Sequence, residues 1–362
     1  MNQPKRWIGR LGVCGLAIVM SACAGGGESS SSDDPRGGRW VNGQWVAARY
    51  EEPVRRSRLR EQALDRLLEA TRDRDPQMRW NALEALSVTP RRLEPLVLEA
   101  LRDPNAGVRT VAATLVGREK LSGLTDQVWP LLQDASPYVR ASAIYALRSN
   151  GAQPDPTPIG AMLTSHPSPR VRAHAAFLIG EMGNTSALSM LRQAAATTDA
   201  PGSQSERRLL ELQIAEAMVK LGDEGQIQTL RSALYPSRPE ELEATLLALQ
   251  ALGEVGDRRQ VDELLAVARY RDETGAPMPA EVRLTAGQSL LKLGERGAVQ
   301  LADEHRFDAA GRIRALAAIA YGASANLETL PKLEAMLGDP EPVVQIAAAA
   351  GILRISDRVQ SR

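Results

Sequence analysis

Residues 108–117 read Val108-Arg109-Thr110-Val111-Ala112-Ala113-Thr114-Leu115-Val116-Gly117, and the pattern returns as Val171-Arg172, Ala175-Ala176 and Gly180. An apolar residue, an arginine, two variable positions, two small residues and a following glycine describe a helix that packs closely and then stops. The pattern recurs as Val282-Arg283, Ala286-Gly287 and Gly294, and as Ile313-Arg314, Ala317-Ala318 and Gly322. Weaker copies begin at Met78, Val139, Leu210, Ala244 and Val344, so the nine starts follow at steps of 30, 31, 32, 39, 34, 38, 31 and 31 residues. Self-similarity at such a period is the signature of a repeat array.

Each unit of about 31 residues holds two apolar-periodic helices around a turn. Leu93–Leu101, Val128–Leu132, Ile227–Leu234, Val261–Ala268 and Leu330–Leu337 read as first helices. Asp75-Pro76, Asp103-Pro104 and Asp339-Pro340 read as caps opening second helices, since the first-turn N–H groups lack intrahelical partners. Gly183-Asn184, Gly222-Asp223 and Gly256-Asp257 read as helix stops. The units resemble HEAT repeats, in particular the short bacterial variety of phycobilisome-lyase-like proteins. The resemblance covers residues 54–357 and implies an all-α fold, an α-solenoid of about nine stacked helix pairs, followed by a tail at 358–362. With neighbouring helices ~10 Å apart, such a stack would extend on the order of 90 Å.

Composition narrows the function classes. The 44 Lys+Arg balance 44 Asp+Glu, which argues against a generic nucleic-acid binder. Two cysteines and three histidines leave too little for a zinc site or a disulfide framework. His166, His174 and His305 share no metal-ligand spacing, and no nucleophile elbow or phosphate-cradling loop occurs. The expectation is therefore a non-catalytic protein with no catalytic, cofactor-binding or metal-ligating residues. HEAT-type arrays supply extended surfaces rather than a built-in reaction.

The N-terminus reads as an address. Lys5, Arg6 and Arg10 precede an apolar stretch, Leu11–Met20, which is too short to span a bilayer but fits a signal-peptide core. Met20-Ser21-Ala22-Cys23 resembles the lipobox of bacterial lipoproteins, with Met where Leu is usual. That resemblance implies removal of residues 1–22, a lipid on Cys23, and membrane anchorage in the cell envelope. Ala24 after the cysteine implies the outer membrane, facing the periplasm, in a two-membraned cell. Residues 23–38 are rich in Gly, Ser and Asp and read as a flexible tether. The mature chain would carry 41 basic against 44 acidic residues.

Residues 39–53 open with Arg39-Trp40-Val41-Asn42-Gly43-Gln44-Trp45-Val46, two short strands around a type I′ turn signal. Trp40 would face Trp45 there. The pair reads either as a clasp on the first helix or as an aromatic contact for a glycan or protein.

Arg79, Arg109, Arg140, Arg172, Arg283 and Arg314 share one repeat position, with Asp75, Asp103 and Asp134 at the turns. A ladder of Arg–Asp pairs between units is the structural reading, and a basic stripe for an anionic ligand is the functional one. Glu211, Thr245 and Gln345 interrupt the series. The two long steps place extra residues at 197–205 and 271–278, between the helices of a unit and along one edge. Between them lie the acidic residues Glu206, Glu211, Glu216, Glu240, Glu241 and Glu243. They read as a patch for a basic partner segment or as a solvated face. The functional expectation is thus an envelope scaffold binding a protein partner, with Glu211, Glu240, Glu241, Glu243, Trp40 and Trp45 as candidate contacts. Its alternative is a module that binds an envelope glycan or small molecule through the Trp40/Trp45 hairpin and the groove.

Overall fold

The computed structural model describes residues 38–41, 44–47, 53–197, 201–236 and 238–360. Cys23, the signal stretch and the tether up to residue 37 lie outside the described residues, and Gly38 belongs to the first strand. Strands β1 (Gly38–Val41) and β2 (Gln44–Ala47) pair antiparallel with Trp40 opposite Trp45 and Val41 opposite Gln44, the expected register. Among the described residues all other regular elements are helical, and the chain is an α-solenoid.

Nine helix pairs follow among the described residues. They are α1 (Pro53–Ala70) with α2 (Pro76–Leu86), α3 (Pro90–Ala100) with α4 (Ala106–Arg118), and α5 (Thr125–Val128) with α6 (Pro137–Ser149). Next come α7 (Thr157–Ser165) with α8 (Pro169–Met182), α9 (Leu188–Ala196) with α10 (Gln204–Lys220), and α11 (Ile227–Arg231) with α12 (Leu242–Val255). The last three are α13 (Val261–Arg269) with α14 (Ala280–Lys292), α15 (Val299–His305) with α16 (Gly311–Ser324), and α17 (Leu330–Met336) with α18 (Pro342–Gln360). Every repeat start, from Met78 to Val344, falls inside a second helix. The last helix reaches Gln360, so residues 358–360 belong to the array rather than to a tail.

Caps follow sequence chemistry with one correction. Asp75 accepts from the Gln77 N–H and caps α2 as expected. Asp103 and Asp339 do not cap: Asp103 accepts from the Asn105 N–H at 2.8 Å and Asp339 from the Glu341 N–H at 2.9 Å. In the first of these units the cap is Asn105, which accepts from the N–H groups of Gly107 and Val108. Asp103 and Asp339 are bound to arginines instead. Gly183 (φ 68°) and Gly256 (φ 70°) end α8 and α12 in the left-handed conformation a side chain resists.

Successive second helices pack on one another, and the series does not stop at the ninth. α18 packs against α16 on one side and against α1 and α2 on the other. The Arg60 Nε donates to Asp357 Oδ1 at 3.0 Å across this seam, and the Arg66 Nε donates to Gln345 Oε1. Leu59, Leu64 and Leu67 of α1 join Ile346, Ile352 and Leu353 of α18 in one buried core. The array therefore closes on itself, which corrects the open stack expected from the repeat count. The physical reason is that α1 carries one apolar stripe, Leu59, Ala63, Leu64, Leu67 and Ala70, and α18 covers it.

Small residues allow the approach. A Cβ at Gly322 would stand 2.7 Å from the Gly351 Cα, where α16 crosses α18. Gly322→Val should therefore force these helices apart and destabilise by about 1–3 kcal/mol in urea unfolding. At Gly297 an added methyl would meet nothing within 4 Å, so Gly297→Ala should change stability by less than about 0.5 kcal/mol.

Candidate binding cleft

The repeat arginines set the spacing of the units. Arg79 binds Asp103 through Nε and Nη2, both at 2.8 Å, and Arg109 binds Asp134 at 2.8 and 3.0 Å. Arg314 binds Asp339 at 2.7 and 2.8 Å. In all three the Nη1 donates to the carbonyl six residues earlier: Asp73, Asp103 and Asp308. Each arginine thus ties its own turn to the next. Burial alone would raise the Asp103 and Asp134 carboxyls, but the arginine hydrogen bonds hold both below the usual carboxylate range.

The ladder closes at three of the six expected rungs. Arg140 reaches its own carbonyls of Asp134 and Ala135, and the next turn offers His166, whose Nδ1 accepts from the Ser168 N–H. Arg172 is buried and donates to the Leu163 carbonyl at 2.8 Å. Arg283 turns to Glu304 at 2.6 Å, because the 271–278 insertion has replaced the turn that would hold it. In unit one the carboxylate equivalent to Asp103 is Asp73, and Asp75 is spent on capping.

Where the ladder lapses, a cleft opens. It has a volume of about 930 Å³ and lies between α9, α10, the 232–241 segment and the start of α12. Arg207, Arg208, Arg238, Glu211, Glu240 and Glu241 supply its charges, and Leu210, Ile214 and Ala244 its apolar wall. Arg208 donates to Glu211 and to the Ser232 hydroxyl, both at 2.7 Å. At the arginine position of these two units stand Glu211 and Thr245, and the Thr245 hydroxyl donates to the Ala233 carbonyl at 2.7 Å.

The structure sorts the acidic residues. Glu211, Glu240 and Glu241 line the cleft. Glu243 instead receives both Arg170 Nη atoms at 3.2 Å, from two units away, and Glu206 joins the same arginine while completing the Ser203 capping box. Glu216 is buried against Lys220 at 2.6 Å and Gln213 at 2.6 Å. Those three are structural. Trp40 and Trp45 sit opposite one another in the hairpin, apart from this cleft in sequence.

Sequence reasoning missed a pair of exposed tyrosines. Tyr235 and Tyr270 follow the first helices of units six and seven, and their rings meet edge-on with centroids 5.4 Å apart. Tyr235 lines the 930 Å³ cleft, and Tyr270 lines a second of about 340 Å³ between units seven and eight. Repeat alignment does not superimpose them, since Tyr235 precedes Ala244 by nine residues and Tyr270 precedes Val282 by twelve, so the sequence carried no aligned signal for the pair.

A second polar feature runs across the second helices. The Thr114 hydroxyl lies 3.0 Å from Ser142 Oγ, which lies 3.0 Å from His174 Nε2. His174 packs beside Tyr138 and Phe177. Ser142 is fully buried, so this serine–histidine contact is not offered to substrate. Lys220 bridges Glu181 and Glu216; burial opposes its charge, but the two carboxylates hold it above the usual lysine range. Among the described residues no three His, Cys, Asp or Glu side chains gather as a metal site, and no helix is long and apolar enough to cross a membrane.

Residues 156–249, units four to six, match the family model for HEAT repeats. Those three units match HEAT repeats, and the other six are helix pairs of the same architecture. No curated protein matches the chain. Among solved structures it is similar to human deoxyhypusine hydroxylase in complex with glycerol, at 20% identity over 83% of this chain and 98% of that one, TM-score 0.35. It is also similar to the complex of CpcE and CpcF of phycocyanin lyase from Nostoc, at 17% identity over 68% and 94%, TM-score 0.41. An engineered protein resembles it at 15% identity over 83% and 94%, TM-score 0.31. At these scores the likenesses carry no statement about activity.

Burial pushes His174 down to about 4. An unfolded histidine takes its proton below about 6.5, so between these values the unfolded chain binds more protons and stability falls as pH drops. The loss should reach about 3 kcal/mol by pH ~4. In urea unfolding, His174→Phe should remove that component and flatten the acid limb; an unchanged slope would refute the assignment.

Proposed function

We propose that this chain is a non-catalytic interaction scaffold of a bacterial cell envelope, tethered by a lipid on Cys23 and binding a protein partner at the cleft of units five and six. The observation that carries the binding surface is the interruption of the arginine ladder. Where Glu211 and Thr245 replace arginine, side chains that would lock neighbouring units instead line an open cleft with both charge signs and an apolar wall. HEAT arrays present such edges to other proteins. Thr197, Gln204 and Ser205, from the two ends of the 197–205 insertion, line the same cleft, and insertions in repeat proteins often serve binding.

The scaffold reading is tested by native cross-linked pull-down from membranes. Glu211→Lys with Glu240→Lys should lower partner recovery at least about tenfold with an unchanged thermal midpoint, because both side chains are exposed. Equal recovery would move the interface elsewhere.

The anchor rests on Met20-Ser21-Ala22-Cys23 and the Gly/Ser tether. Cys23→Ser should abolish incorporation of labelled palmitate and shift the protein to the soluble fraction. Retention on membranes without the label would remove the lipid from the proposal. The alternative, retention of an envelope glycan by the hairpin, is favoured by the direct pairing of Trp40 with Trp45. Opposed residues of an antiparallel pair share one face.

A further inference from the structure

The second cleft, between units seven and eight, differs from the first in charge. Among the described residues Arg269, Arg271 and Arg283 line it against a single carboxylate, Glu304, and Arg283 already occupies that carboxylate at 2.6 Å. Its floor is apolar, with Leu265, Leu290 and Leu301. Tyr270 stands at its mouth, 43% exposed.

The unusual position of Arg283 explains why the cleft exists. In the closed rungs the arginine Nη1 is held by the carbonyl six residues earlier, and its fork by the aspartate 24 or 25 residues later. For Arg283 that aspartate is present as Asp308, but His305 stands between: its Nε2 lies 3.2 Å from Arg283 Nη1 and its Nδ1 3.7 Å from Asp308 Oδ2. Residues 271–278 form a separate loop, and the Arg283 Nε donates to the Ala268 carbonyl before it at 3.3 Å. Asp272 closes that loop by accepting from the Thr274 and Ala276 N–H groups at 2.8 and 3.0 Å, and Arg271 Nη1 donates to the Gly275 carbonyl at 2.9 Å. Arg271 is therefore held beside Arg269 on an ordered loop, and both are exposed.

We propose that this cleft docks an acidic peptide segment of a protein partner, with an apolar side chain on the Leu265/Leu290/Leu301 floor flanked by carboxylates bound to Arg269 and Arg271. The charge argument selects the ligand: three guanidinium groups face one carboxylate, and planar guanidinium pairs best with carboxylates in two-point geometry. The floor selects a peptide over an anionic sugar polymer, which has no aliphatic side chain to bury there. An ordered loop loses little conformational freedom on binding. This inference rests on the protein-interaction reading above but uses a different cleft, so the two fail separately.

The test uses the full chain and a fluorescein-labelled peptide, Gly-Glu-Asp-Leu-Asp-Glu-Gly, followed by anisotropy at low and at physiological salt. The amide counterpart, Gly-Gln-Asn-Leu-Asn-Gln-Gly, and an Ala-for-Leu peptide serve as comparisons. Arg269→Ala with Arg271→Ala should weaken the acidic peptide at least about tenfold. Arg258→Ala with Arg259→Ala, an equal charge change at exposed arginines outside the cleft, should weaken it less than about twofold. The amide and alanine peptides should each bind at least about fivefold more weakly. Three results would overturn the proposal: equal loss from both arginine pairs, equal binding of the amide peptide, or saturable binding of a sulfated polysaccharide but not of the acidic peptide. The partner pull-down with Glu211→Lys and Glu240→Lys is independent of all three.

Discussion

The packing of the last helix on the first is the contact on which the molecule depends. A repeat unit with apolar faces on both sides leaves one face bare at each end of a linear stack, and linear arrays cover those faces with atypical capping units. Here α18 covers α1 and is covered by it, and the Arg60–Asp357 bond sits on the seam. Unit nine meets unit one chiefly through α1, whereas elsewhere each second helix packs on the next second helix. Closure in turn fixes how far each pair of second helices must rotate, and that requires close crossings. Gly322 against Gly351 supplies one, and the Ala-rich stretch 347–350 lines the same interface.

A closed array has little freedom to flex, so variation between units falls on the turns. Bidentate Arg–Asp rungs join units one to two, two to three and eight to nine. From unit three to unit eight the rungs give way to other contacts: Arg140 to its own turn, Arg172 to a buried carbonyl, Arg283 to Glu304. The 930 and 340 Å³ clefts and the Tyr235–Tyr270 pair lie in this stretch, while another cleft of about 750 Å³ lies between units one and two, lined by Arg66, Glu69, Arg72 and Asp73. The same arginine position that bridges units one to three and eight to nine makes other contacts in the rest of the ring.

The polar groups across the second helices belong to the scaffold. Thr114, Ser142 and His174 satisfy one another, and Lys220 is bracketed by Glu181 and Glu216. Buried polar groups left without such partners would destabilise the interior by several kcal/mol each. Their arrangement as closed networks distinguishes them from the cleft residues, whose side chains keep contact with solvent.

The nine units and the stops at Gly183, Gly222, Gly256 and Gly294 were legible in the sequence because each depends on residues close together in the chain: a period and a left-handed turn. Gly117, Gly180 and Gly322, read as stops, instead lie inside helices, where the missing side chain lets the neighbouring helix approach. The Trp40–Trp45 register was legible for the same reason, through the Asn-Gly turn. The residues around Glu211 and Glu240 stood out only as departures from the repeat, and sequence alone could not separate Glu240, which lines the cleft, from Glu243, which holds Arg170 two units away. Nor could it distinguish rungs that close from those that do not, since Arg140 and Arg109 occupy one repeat position and differ only in what the next turn offers. Closure of the ring was the largest decision left to the tertiary structure. Local periodicity specifies that each unit stacks on its neighbour, but whether the ninth returns to the first depends on the summed rotation of every interface, a quantity that no single repeat encodes.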